Sequence, residues 1–125
     1  MGLGRVRMGF EEERMTKEKI VPGLTGRKET LVCEHNVAPH VAKFSTPAMI
    51  MLMEQASVEA MRPSLDTGQI SVGFEVNIRH LAPSSIGARI VAQSELTEVH
   101  SNKVLFNVVA YDGDTKIGEG THRRA

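Results

Sequence analysis

Only one of the 125 residues is cysteine, Cys33, so no disulfide can close within the chain and no cysteine-based zinc site can be built. One cysteine suits a reducing compartment, and the expected location is the cytoplasm. Charge of one sign is not in excess either: Lys plus Arg and Asp plus Glu number 15 each. A protein that neutralises phosphate backbones carries a clear basic excess, so nucleic acid is not the expected partner. The longest apolar run, Ala48 to Met53, is far too short to span a bilayer, and no membrane association is expected. Arg5 and Arg7 are not followed by an apolar stretch, so the start does not read as a secretory signal. There is no P-loop, no dinucleotide fingerprint, no internal repeat and no low-complexity segment. His35, His40 and His100 lack ligand spacing, and no metal is expected.

What is present fits one domain. Residues 1–19, with the charged run Glu11-Glu12-Glu13-Arg14, read as a flexible N-terminal tail, in which Met8 and Met15 offer alternative starts. The turn-rich Val21-Pro22-Gly23-Leu24-Thr25-Gly26 then leads into a folded body over 20–125. Alternation predicts a strand over 28–37, with Leu31, Cys33, His35 and Val37 on one face. A loop around Pro39 follows, and then the strongest helix signal in the chain. Thr46 is a good N-cap and Pro47 suits the first helical position. The run Ala48 to Ala56 is apolar on nearly every side, the mark of a buried helix, and Pro63 ends it. Met49, Met51, Met53 and Met61 are expected in the core or lining a cleft.

Everything after residue 70 reads as strand. Over 71–82, Val72, Phe74, Val76, Ile78, His80 and Ala82 share a face. Strand resumes from Ile86 to Val99, and His100-Ser101-Asn102 turns into Lys103–Tyr111, apolar on both faces and so central in its sheet. Asp112-Gly113-Asp114 turns into a last strand from Thr115 to about Arg123. The order is strand, one long apolar helix, then four strands joined by tight turns. An apolar helix needs a sheet to wrap it. The predicted fold is therefore α+β, an antiparallel sheet of about five strands curled around one central helix, the hot-dog arrangement. One copy leaves sheet edges exposed, so a homodimer or a dimer of dimers is expected.

Two residues stand out of pattern. Glu54 follows six apolar helix positions, where an unpaired carboxylate is costly to bury. His80 lies on the apolar face of its strand. If that face packs on the helix, carboxylate and imidazole share one interior, either as a structural pair or as the lining of a wet cleft. Thr46 is accounted for by capping alone. Along a straight helix it also stands about 12 Å from Glu54, so the two act together only if the chain folds back before the helix or if substrate and His80 lie between them.

The set Ser45-Thr46-Pro47-Ala48, Met53-Glu54-Gln55-Ala56, Val72-Gly73-Phe74 and Ile78-Arg79-His80-Leu81-Ala82-Pro83 resembles the fluoroacetyl-CoA thioesterase-like branch of the hot-dog superfamily. The likeness covers about residues 20–125 and extends to Ile117-Gly118-Glu119-Gly120-Thr121-His122-Arg123. The family carries a Thr ahead of the central helix, a Glu within it and a His in the next strand, and here they are spaced eight and then twenty-six residues apart. The resemblance implies hydrolysis of a small acyl-coenzyme A, with coenzyme A as part of the substrate and no separate cofactor. Thr46 would be the nucleophile or position the attacking water, His80 would move protons, and Glu54 would orient or balance His80 or act as base. Gly73 is the family's glycine for binding the developing oxyanion, although a strand kink also accounts for it. His40 and Phe44, on the loop that borders the acyl pocket, are candidates for closing over a short acyl group. Arg79, Arg89, His122, Arg123 and Arg124 read as solvated surface, or alternatively as contacts to coenzyme A phosphates.

Two other functions fit the same fold. A hot-dog hydratase or dehydratase also pairs His with a carboxylate but leaves Thr46 without a role. A non-catalytic acyl-CoA-binding dimer would have no use for the trio, though a fold never guarantees an activity. The acyl preference is not legible, and fluoroacetyl-CoA itself is not the expected substrate.

Overall fold

The computed structural model describes residues 20–125; the expected tail over 1–19 lies outside them. The elements are β1 (Thr25–Leu31), β2 (Val37–Ala38), β3 (Val41–Phe44), α1 (Thr46–Met61), a 3-10 turn (Arg62–Ser64), β4 (Gly73–His80), β5 (Arg89–His100), β6 (Lys103–Asp112) and β7 (Thr115–Arg124). Five strands form one antiparallel sheet in the order β1-β5-β6-β7-β4, and α1 packs on one face of it. This is the expected hot-dog arrangement. β6 is the central strand, as its apolar faces require. Both expected hairpins form, each with a two-residue connection, Ser101-Asn102 and Gly113-Asp114.

The core lies between α1 and the middle strands. Met49 and Met53 from the helix meet Ile90, Leu96, Phe106 and Ile117 from the sheet, all fully buried. Each such side chain contributes about 1.5–3 kcal/mol relative to exposure. The sheet approaches the helix so closely at β1 that a Cβ on Gly26 would collide with the Ala56 carbonyl and the Ala60 backbone. Met61 is also buried, but Met51 is more than half exposed, so it belongs neither to the core nor to a closed cleft.

The first strand departs from expectation. It ends at Leu31, and Val32, not Leu31 or Cys33, is the buried residue. Asn36 is the cause. Its side chain accepts from the Cys33 N–H at 2.8 Å and donates to the Leu31 carbonyl at 3.0 Å, closing a turn that breaks the alternation. Cys33 therefore sits half-buried in a turn. The expected loop around Pro39 contains the small β2–β3 hairpin.

The apolar face of β4 is the larger surprise. Ile78 packs on the core, but Val76, Phe74, Val72 and Ile70 are 42, 51, 60 and 82% exposed. β4 is an outer strand of the sheet, beyond the reach of α1 for most of its length.

Candidate active site

The helix start is built differently from the expectation, and the difference frees a hydroxyl. Ser45, not Thr46, is the N-cap: its side chain accepts from the Ala48 N–H at 3.2 Å. Thr46 is the first helical residue, which shifts Pro47 to the second, still within the turn whose N–H groups lack helical partners. Because Ser45 caps, the Thr46 hydroxyl is available, and it meets His80 Nδ1 at 2.9 Å. Helix start and strand end converge here because Phe44 N–H donates to the Ser84 carbonyl and Lys43 bridges to Ser85, tying β3 to the segment after β4.

Thr46 is exposed and His80 half-buried. Burial lowers the His80 pKa below its ordinary 6.5, and the Ala82 carbonyl opposes this. That carbonyl makes no regular hydrogen bond with the ring, and His80 Nε2 is buried without a partner among the described residues. The pair opens into a cavity of about 310 Å³ lined by Lys43, Phe44, Thr46, His80, Leu81, Ala82 and Pro83. Phe44 is only 3% exposed, a fixed wall and not a mobile cover. His40 lies on the exposed turn between β2 and β3 and does not line this cavity.

Glu54 lies at the other end of β4. Its Oε2 stands 3.6 Å from Arg124 Nη1 and 3.9 Å from His122 Nε2. The expected Glu54–His80 pairing is thus not the arrangement within one chain, for the reason that eight residues of helix rise about 12 Å. Gly73 is with Glu54. A Cβ there would come within 2.7 Å of His122 Cε1 and 2.8 Å of Glu54 Oε2. The strand is also irregular between Gly73 and Glu75, so the kink reading holds as well.

His122 and Arg124 correct the surface reading. Both are buried, because alternate residues of β7 face the helix and these two face it beside Gly73. His122 Nδ1 donates to the Glu75 carbonyl at 2.9 Å, leaving Nε2 to accept from Arg124 Nη1 at 3.1 Å. Burial is the main cause that lowers the His122 pKa and Arg124 lowers it further, while the Glu75 carbonyl and Glu54 work against them. Burial also lowers the Arg124 pKa, opposed by Glu54, although a guanidinium stays charged. Period-two alternation counted from Ile117 points to Arg123, six residues on, and so conceals both residues; Ile117 is passed over where Ala110 pairs with Gly118 and Tyr111 with Lys116, and beyond that irregularity the buried row is Gly118, His122 and Arg124. Arg79, Arg89 and Arg123 do lie on the surface, paired with Glu119, Glu29 and Glu75. Among the described residues no group of His, Cys, Asp and Glu could hold a metal ion, and no helix is long and apolar enough to cross a membrane.

The chain is similar to known thioesterases in sequence and in fold. The family model for fluoroacetyl-CoA-specific thioesterases matches residues 27–125. The fluoroacetyl-CoA thioesterase of Streptantibioticus cattleyicolor is 34% identical over 113 residues, covering 90% of this chain and 81% of that one. A solved structure of a Thr-to-Ser mutant of the fluoroacetyl-CoA enzyme in complex with acetyl-CoA is 30% identical with a TM-score of 0.79, covering 85% of this chain and 88% of that one. A thioesterase superfamily member from Thermus thermophilus is 26% identical with a TM-score of 0.80, covering 85 and 82%.

Proposed function

The chain belongs to the fluoroacetyl-CoA-specific thioesterase family, and we propose that it hydrolyses a small acyl-CoA with Thr46 as nucleophile and His80 as its base. The observation that carries this reading is the 2.9 Å contact between Thr46 Oγ1 and His80 Nδ1 at the wall of an open cavity. Thr46 Oγ1 attacks the thioester carbonyl carbon while Nδ1 takes the hydroxyl proton. The tetrahedral intermediate collapses, the C–S bond breaks and the imidazolium returns the proton to the departing thiolate. Water then attacks the threonyl ester, His80 removes a proton from it, and the free acid leaves as Thr46 is reprotonated. A lowered His80 pKa suits this, because the ring must be neutral to accept.

The carboxylate half reaches the same substrate if two copies pair. β4 is an outer strand with its apolar side chains uncovered, and it runs from Gly73, beside Glu54, to His80, beside Thr46. Antiparallel pairing of two β4 strands about a two-fold axis between Val76 and Asn77 brings Gly73 and Glu54 of one copy towards His80 and Thr46 of the other. This homodimer has two composite sites, in which the Gly73 N–H is offered to the oxyanion and Glu54 to the attacking water. Covering Ile70, Val72, Phe74 and Val76 is the physical incentive.

Thiol release from short, branched, aromatic and long acyl-CoAs, fluoroacetyl-CoA and acetyl-CoA included, tests the reading. Wild type should turn over a small acyl-CoA. His80→Ala and Glu54→Ala should each lower kcat at least about a hundredfold, the scale of acid–base groups. Thr46→Ala should fall as far; a drop below about tenfold with folding intact would remove Thr46 as the nucleophile. Hydration of an enoyl-CoA without thiol release would move the chain to the lyases.

A further inference from the structure

Ser71 lies outside every strand and helix, yet it holds the buried Arg124 side chain beside Glu54. Arg124 Nε donates to Ser71 Oγ at 2.8 Å and Arg124 Nη2 donates to the Ser71 carbonyl at 2.9 Å. The neighbouring residues fix this clamp, since Val72 and Ala125 exchange both backbone hydrogen bonds at 2.9 Å. Arg124 Nη1 donates to His122 Nε2, and His122 is held in turn by the Glu75 carbonyl. The buried guanidinium is therefore tied on three sides, while its Nη1 stops 3.6 Å short of Glu54 Oε2.

That gap has a chemical consequence. Left to itself, an arginine beside a carboxylate closes to a two-pronged pair at about 2.7–2.9 Å and occupies both oxygens. Such a pair would neutralise Glu54 and engage one lone pair on each oxygen, making it a weaker acceptor for a proton. Here the clamp uses the edge of the fork that would make that pair. The carboxylate keeps a nearby positive charge and keeps its oxygens, and it remains a third exposed.

We propose that Ser71 is a positioning residue for the thioesterase site: it holds Arg124 back from Glu54, so that the carboxylate beside Gly73 stays charge-balanced but free to act. This rests on the reading that Glu54 serves the reaction. Ser71→Ala removes one of the three ties, the Nε hydrogen bond, and the guanidinium, held only by the Ser71 carbonyl and His122, can exchange those bonds for Glu54.

The test is a double-mutant cycle on the purified full chain, using the acyl-CoA that wild type hydrolyses best. Ser71→Ala should lower kcat about tenfold, the scale of one hydrogen bond to a charged group. KM and Tm should change little, and Ser71→Thr, which keeps the hydroxyl, should restore most of the rate. In a Glu54→Gln background Ser71→Ala should cost nothing further, because the group it acts through is gone. An equal loss in both backgrounds, or no loss in the wild-type background while Glu54→Gln is impaired, overturns the proposal and leaves the role of Glu54 intact. Full activity of Glu54→Gln would instead remove Glu54 from the mechanism, and this proposal with it.

Discussion

Gly73 and Glu54 share a space that admits no further atom: a β-carbon on Gly73 would stand 2.8 Å from Glu54 Oε2. The glycine therefore lets the carboxylate lie against the strand beside its kink. On the other flank the same β-carbon would meet the ring of His122 at 2.7 Å, and that ring is buried and hydrogen-bonded at both nitrogens.

Gly73→Ala should accordingly fold but with loss. Glu54 can swing away at its flexible end, whereas His122 cannot, so overpacking should cost about 1–3 kcal/mol. Activity should fall further than stability, because the displaced group is Glu54. Thermal unfolding and thiol-release kinetics on one preparation check both. A variant of unchanged Tm and rate would mean the neighbourhood is looser than these distances require.

The activity of the wild type should respond to pH through His80. Its pKa lies below the ordinary 6.5, burial being the larger cause. The ring must be unprotonated to take the Thr46 proton, so kcat/KM should rise with pH and level off, with the midpoint of the acid limb below 6.5. A pH–rate series with a non-titrating thiol reporter measures it. A midpoint clearly above 6.5 would mean another group controls the reaction.

How much of this was legible in the residues depends on what each signal reports. The helix, the four later strands and both hairpins followed from periodicity and turn chemistry, which are local. The Asn36 turn is hidden in the sequence because an amide that bonds Leu31 and Cys33 competes with the strand without altering the alternation of residue types. Ser45 and Thr46 are both good caps in sequence, and only the backbone decides which side chain faces Ala48. The trio was recognised by order and spacing, which carry no distances. They could not tell that Glu54 belongs with Arg124 and Thr46 with His80, at opposite ends of β4. Nor could alternation distinguish an apolar face covered by α1 from one left open at a sheet edge, since Val76 and Ile78 look alike in sequence.

That open edge gives the third prediction. If two β4 strands pair to complete the sites, a charge at the middle of the strand should separate the copies and abolish turnover together. Val76→Lys places an ammonium on the exposed apolar row, the device by which natural edge strands avoid pairing. Light scattering should show a dimer for wild type and a monomer for the variant. The variant should lose at least about a hundredfold in kcat, because each site then lacks its carboxylate half. A folded monomer with full activity would show that one chain holds a complete site.

Stability should depend on pH through His122, and the sign follows from its direction of shift. The folded protein holds this ring neutral, with a pKa below the 6.5 it regains on unfolding, chiefly because the ring is buried. Between the folded pKa and 6.5 the unfolded chain binds the extra proton, so stability rises with pH across that window and is fully present above it. Lowering the pH from above 6.5 through the folded pKa should therefore lower the Tm progressively. Protonation would also set a second donor against Arg124 Nη1, where Nε2 now accepts. His122→Gln should start from a lower Tm, since it forfeits the bonds to Glu75 and Arg124, but its dependence on pH should be shallower than that of wild type. Parallel curves for the two proteins would assign the acid sensitivity to other groups, His80 first among them, because burial depresses its pKa in the same direction.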